Sequence, residues 1–194
     1  HTNNIMFVET DKRYLYYKVN NKYYKVKTYG KIFKIIDFGR AIYKYNNVTY
    51  CSDSFNKDGD AATQYNIPPF FNENKPRVEP NYSFDLTRLA SAMFDFIVDD
   101  NFEQLESLKV IAVYEAIIDW CTDEKGRNIL YKQNGDERYP DFKLYKMIAR
   151  TVHKHTPEKQ LERELFDIFK INRKNINKKA LNSIFNIDKL EPQY

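Results

Sequence analysis

The stretch from Tyr14 to Lys27 constrains the fold most. Two runs rich in Tyr and Val, Tyr14–Val19 and Lys22–Lys27, flank the pair Asn20-Asn21. Asparagine tolerates a positive φ, so two asparagines between two β-prone runs predict a two-residue hairpin. Apolar runs on either side extend the β structure. Ile5-Met6-Phe7-Val8 reads as a short strand, and Gly30 breaks the chain before a further strand at Ile32–Ile36. Residues 5–39 are therefore expected to form a small β region.

Residues 40–82 carry Asp58-Gly59-Asp60, Pro68-Pro69, Pro76 and Pro80. They are expected to form one long irregular loop, a feature that is usually functional or mobile in a compact domain. Helical patterns follow. Ser83 is a candidate N-cap for a helix to about Val98. Apolar residues cover nearly all faces of that helix, and a helix apolar all round is a buried one. Further helices are expected over about 103–120, 141–153, 157–169 and 178–185. Thr156-Pro157 opens the third of these with a cap and a proline at the first helical position. The expected fold class is α+β but mainly helical. It is a single domain over 1–194, with a helical subdomain over 83–194 bundled around one buried central helix.

Composition bounds the class. The 194 residues suit one domain, and 42% hydrophobic with 30% charged residues is an ordinary soluble composition. The net charge of +4 is compatible with an anionic ligand and does not demand nucleic acid, so a nucleic-acid partner is not expected. Cys51 and Cys121 form neither a metal motif nor a disulfide framework. No apolar run reaches the roughly 18 residues needed to span a bilayer, and no signal peptide is seen. A cytoplasmic, non-membrane and non-secreted protein is expected. The first residue is His rather than Met, so a processed or partial chain is expected.

The candidate site lies where strands end. Asn4 stands just before the first strand, and Asp37-Phe38-Gly39 closes the strand that ends at Ile36. If those strands are neighbours, an amide oxygen and a carboxylate can converge at one rim. That donor pair suits Mg²⁺, which takes hard oxygen ligands and keeps waters and phosphate oxygens in its other positions.

Asn4-Ile5-Met6 followed by Asp37-Phe38-Gly39 resembles the end of a protein-kinase catalytic loop and the metal-binding tripeptide behind it. In that family the loop reads roughly H-R-D-L-x-x-x-N. Asn4 matches its Asn, and His1, Thr2 and Asn3 match the variable positions. The stretch "NYSFDLTRLASAMF" is similar to the start of the central helix of the kinase C-terminal lobe, with Asp85 matching the acid that holds the catalytic-loop backbone. The separation of 33 from Asn4 to Asp37 is longer than in ordinary kinases. The Tyr-rich hairpin fills it, as in haspin-like kinases and kinases of large DNA viruses.

The resemblance implies a Ser/Thr protein-kinase-like enzyme that uses ATP and Mg²⁺. Asn4 and Asp37 would be the metal ligands, with Phe38 packed inward to set Asp37 and Gly39 allowing an unusual φ. Glu73 is the candidate for a helix-anchoring ion pair in place of the missing Ala-Pro-Glu. The catalytic-base Asp would fall two residues before His1, so this chain alone is expected to be inactive while its parent is active. The expected partners are a protein substrate and the N-lobe of the same polypeptide. A viral origin would place the protein in host cytoplasm or virion. The competing reading is a catalytically inactive kinase-fold binding or scaffold module, such as a viral structural component.

Other residues receive plainer readings. Thr49, Tyr50, Ser52, Ser54 and Thr63 are loop hydroxyls open to phosphorylation. His153 and His155 are expected at the surface and Trp120 in the core. The basic run Lys170, Arg173, Lys174, Lys178 and Lys179 is expected to form a solvated face.

Overall fold

The computed structural model describes residues 1–98 and 108–189. The protein is α+β with about 35% helix and 21% strand, the strands lying in several small sheets. The mainly helical bundle expected from the sequence is thereby corrected. The chain divides into two compact units. One comprises His1–Thr2 with Asp37–Gln160, and the other Asn3–Ile36 with the chain from Leu161 onward.

The latter, the hairpin unit, opens with β1 (Ile5–Glu9), β2 (Tyr14–Val19), β3 (Lys22–Lys27) and β4 (Lys31–Ile35). Asn20 and Asn21 take φ of 50° and 58°, the pair of left-handed residues that a type I′ turn requires. Strands β1 and β4 pair antiparallel from Ile5↔Ile35 to Glu9↔Lys31. The hairpin β2–β3 forms the centre of a separate sheet. Strand β7 (Lys170–Ile171) pairs antiparallel with β3, and β8 (Phe185–Asn186) pairs parallel with β2. Alternation along the hairpin sets Leu15↔Val26 and Tyr17↔Tyr24 on one face, where Leu15 and Tyr24 are buried. Tyr14, Tyr16, Lys18, Tyr23, Lys25 and Lys27 share the other. Asp188 pins the turn, accepting from the N–H of Asn20 at 2.5 Å and of Asn21 at 3.2 Å and pairing with Lys18 at 3.1 Å.

This sheet explains two shortened helices. The segment expected as a helix over 157–169 contains only α4 (Pro157–Gln160) and a 3-10 turn at Glu164–Phe169. The last expected helix ends early, as α5 (Lys178–Leu181), and Phe185 is drawn into strand pairing with Tyr17. The two rings stack at 5.5 Å.

The other unit, the helical unit, holds α1 (Ser83–Val98), α2 (Leu108–Trp120) and α3 (Lys143–Thr151). Residues 103–107 of the expected second helix lie outside the described residues. Helix α1 is not buried all round. It buries Ser83, Thr87, Ala90 and Phe94, a single stripe at helical spacing, while Phe96 is 78% exposed. Ala90 and Phe94 pack with Ile117, Cys121, Ile129, Ile148 and Val152. A second cluster joins Phe55, Ala61, Tyr65, Ile67 and Ala149, and Phe84 packs against both. Trp120 packs against the first cluster, and its Nε1 donates to Gln160 Oε1 at 2.6 Å.

The loop over 40–82 is more ordered than its prolines suggest. Strands β5 (Tyr43–Tyr45) and β6 (Val48–Tyr50) form a hairpin turned by Asn46 and Asn47, at φ 48° and 62°. Asn81, not Ser83, caps α1, its Oδ1 accepting from the Ser83 N–H at 2.9 Å. The Ser83 hydroxyl is freed to accept from the His155 N–H at 3.0 Å. His155 is therefore an interior residue, 2% exposed, with Nε2 facing the Thr122 carbonyl at 3.1 Å. That corrects its expected surface position. His153 does lie at the surface, with Nδ1 against Glu124 at 2.7 Å.

After α2 the chain wraps around Asp123, whose side chain is 1% exposed. Its carboxylate accepts from the N–H groups of Lys125 and Arg127, each at 2.9 Å, and from Arg127 Nε at 2.8 Å. Arg127 Nη2 completes the pair at 2.7 Å. Burial works to raise this carboxyl, but the Arg127 guanidinium and the two N–H groups outweigh it and hold it below the usual range.

Candidate metal and nucleotide site

Strand β1 begins directly after Asn4, which ends a 3-10 turn at Thr2–Asn4. The Asn4 carbonyl accepts from the Ile36 N–H at 2.9 Å, one step beyond the Ile5↔Ile35 pair. The strand pairing that convergence of the two motifs required is therefore present. The Asn4 side chain is half-buried and its amide makes no hydrogen bond among the described residues. Asp37 follows Ile36 in the chain and belongs to the helical unit, whereas Asn4 belongs to the hairpin unit.

Asp37 itself takes the left-handed conformation, at φ 61°, and is exposed. Asparagine and aspartate tolerate this region because their short polar side chains bond locally. The unusual φ expected at Gly39 is thus carried two residues earlier. A Cβ at Gly39 would meet only Asp37 Oδ1, at 3.4 Å, so no steric rule demands glycine there. Phe38 is 67% exposed and does not pack inward as the resemblance implies. The Phe38 carbonyl instead accepts from the Ala41 N–H at 2.9 Å, closing a turn.

Asp85 occupies the first turn of α1. Asp85 is exposed as a residue, yet partial desolvation raises its carboxyl above the usual carboxylate range, and the positive charge of the His1 amino group acts in the opposite sense. That amino group is lowered by burial and by Arg88, against the pull of Asp85. Arg88 is oriented by Tyr145, donating to its hydroxyl at 3.0 Å with the guanidinium 4.3 Å from the ring centre. Glu73 stands apart, exposed in the loop and without an ion pair among the described residues.

Among the described residues no group of three or more His, Cys, Asp or Glu side chains is placed to hold a metal ion. An amide and one carboxylate fit Mg²⁺ only as a partial ligand set, completed by nucleotide phosphates and water. Nor is any described helix long and apolar enough to cross a membrane.

The helical unit also carries a cleft that sequence reading did not find. Its volume is about 540 Å³, and its walls come from Phe55 to Glu79 and from the end of α3. Asn66, 7% exposed, builds one wall. Its Nδ2 lies 3.0 Å from each of the carbonyls of Asn72, Lys75 and Pro76, and its Oδ1 accepts from the Asn72 N–H at 2.7 Å. An amide has only two hydrogens, so the three carbonyls share them. Nothing in the local sequence marks Asn66 off from the other asparagines of the loop.

Comparison with protein families, with curated proteins and with solved structures gives no match.

Proposed function

We propose that the chain is part of a protein-kinase-like enzyme that transfers the γ-phosphoryl group of ATP to a Ser or Thr hydroxyl of a protein. The observation that carries this reading is the β1–β4 ribbon, which joins the segment led by Asn4 to the segment leading into Asp37. Asn4 and Asp37 would hold Mg²⁺. When bound, that ion would neutralise phosphate charge during transfer. In this reading Asp85 would hold the backbone near His1, with whose amino group its carboxyl is electrostatically coupled. A protein substrate would supply the hydroxyl, and groups other than those named here would take its proton and cover the nucleotide.

The exposure of Phe38 favours a second reading, a binding module that keeps the motif without turnover. One experiment separates them. Mg-ATP binding by calorimetry and phosphoryl transfer to a mixed protein panel are measured on the full polypeptide and on its Asp37→Ala form. The catalytic reading expects transfer, and at least about a hundredfold less of it in Asp37→Ala, since a lost charge-stabilising contact in an active site costs about 2.7–4 kcal/mol. A full polypeptide that binds no Mg-ATP and transfers nothing establishes the binding module. Full activity in Asp37→Ala removes Asp37 from the site.

A further inference from the structure

The cleft behind Asn66 is lined by cations from three separate stretches of chain: Lys57, the pair Lys75 and Arg77, and Arg150. Glu79 is the one carboxylate among its lining residues, and it is engaged by Arg77 at 2.6 Å. Lys57, Lys75 and Arg150 have no carboxylate partner among the described residues, although Arg150 donates to the Thr63 carbonyl at 3.3 Å. His153 adds no spare donor, because Nδ1 faces Glu124 and Nε2 faces the Ala149 carbonyl at 3.2 Å. The lining is also aromatic. Phe55 and Tyr65 are buried with rings 5.3 Å apart, and Phe70 lies half-buried beside them.

We propose that this cleft binds an extended peptide segment through a phosphorylated Ser or Thr side chain. The volume is far more than a lone phosphate fills and falls within the roughly 300–1,000 Å³ of ligand pockets. Buried aromatic rings and exposed cations in one lining match a ligand with a carbon stem and an anionic head. A phosphate carries about −1.5 to −2 charge and three acceptor oxygens, so it can engage cations arriving from several directions. A carboxylate offers one charge and two oxygens. The wall is fixed before any ligand arrives, since Asn66 ties the backbone carbonyl of Lys75 in place. Preorganisation of this kind lowers the cost of binding. The inference stands apart from the kinase reading and uses neither Asn4 nor Asp37.

The test is fluorescence anisotropy of the whole chain with a labelled peptide bearing one phosphoserine, beside the same peptide with Ser or Glu. The phosphopeptide is expected to bind at least about tenfold more tightly than the Ser form, equivalent to 1.4 kcal/mol. The double change Lys57→Ala with Lys75→Ala should weaken it by about tenfold or more. Both lysines are exposed, so the variant should melt with the parent. The change Lys174→Ala with Lys178→Ala, in the hairpin unit, should leave binding intact. Equal binding of the phosphoserine and Ser peptides overturns the proposal, as does an unchanged affinity in the Lys57/Lys75 variant. Inorganic phosphate competing as strongly as the phosphopeptide reduces the cleft to an anion site and also overturns it. So does tighter binding of a single-stranded oligonucleotide at the same lysines.

Discussion

Replacing Asp123 with Ala removes the acceptor around which the turn after α2 is built. Four donor atoms converge on that carboxylate, two backbone N–H groups at 2.9 Å and the Arg127 Nε and Nη2 at 2.8 and 2.7 Å. Hydrogen bonds to a charged group contribute about 1.5–3 kcal/mol each but do not add. Breaking a buried ion pair costs about 3–5 kcal/mol when the surviving charge is stranded. Here the survivor is not stranded, because the Arg127 side chain is 41% exposed and can return to water. The loss therefore falls near the lower bound, about 3 kcal/mol. At about 2–4 °C per kcal/mol for a chain of this length, the melting temperature should drop by about 6–12 °C. Asp123→Asn keeps an acceptor for the two N–H groups and should lose about half as much.

The sign of the pH dependence follows from the depressed carboxyl. A carboxylate held lower in the folded state than its unfolded value of about 3.9 contributes stability that is present above that value. The contribution is lost as pH falls through the folded value. Scanning calorimetry of parent and Asp123→Ala should give a constant gap from pH 7 to about 5 that closes below about 4. A gap smaller than about 1 °C at pH 7, or one unchanged down to pH 2, would refute the reasoning.

Asn66→Ala should destabilise the helical unit by about 2–3 kcal/mol, since it deletes several buried hydrogen bonds that each net about 1 kcal/mol. Urea titration checks the stability, and faster tryptic cleavage after Arg77, which is followed by Val78, checks the loosened wall. Thiol labelling should be one-sided: burial pushes the Cys121 thiol up to about 12, whereas half-buried Cys51 is raised only by milder burial and by Asp53. Iodoacetamide at pH 8 should therefore modify Cys51 slowly and Cys121 only on unfolding, and peptide mass mapping distinguishes the two.

The parts of the fold legible in the sequence are those whose cause is local. Asn20-Asn21 fixed the central hairpin to the residue, because a I′ turn needs two positive φ values side by side. The same chemistry at Asn46-Asn47 was there to be read, but the prolines over 68–80 make the whole stretch from 40 to 82 look irregular. Phe185 looked helical because its pairing with Tyr17 depends on a strand from the other end of the chain. Helix α1 looked buried all round because apolar content does not reveal how many faces find a partner. His155 was misplaced for a similar reason: its contacts are Ser83 and Thr122, both distant in sequence. At the candidate site the order of residues points to Asn4, Asp37 and Asp85, while the exposure of Phe38 and the left-handed backbone of Asp37 are set by how the turn after β4 folds and have no local sequence signal.

The pin at Asp188 joins residues 168 positions apart, and this sets a timetable for the chain as it is made. The hairpin β2–β3 leaves the ribosome early, but β7 and β8, which cover its two edges, are made only after Asp37–Gln160 is complete. At about 5–20 residues per second, the edges wait roughly 7–30 s for their partners. An uncovered strand edge invites pairing with another chain, and lysine is a residue that discourages it. Lys18, Lys22, Lys25 and Lys27 interrupt the tyrosines of both strands. They give the nascent hairpin a charged guard until the last strands arrive.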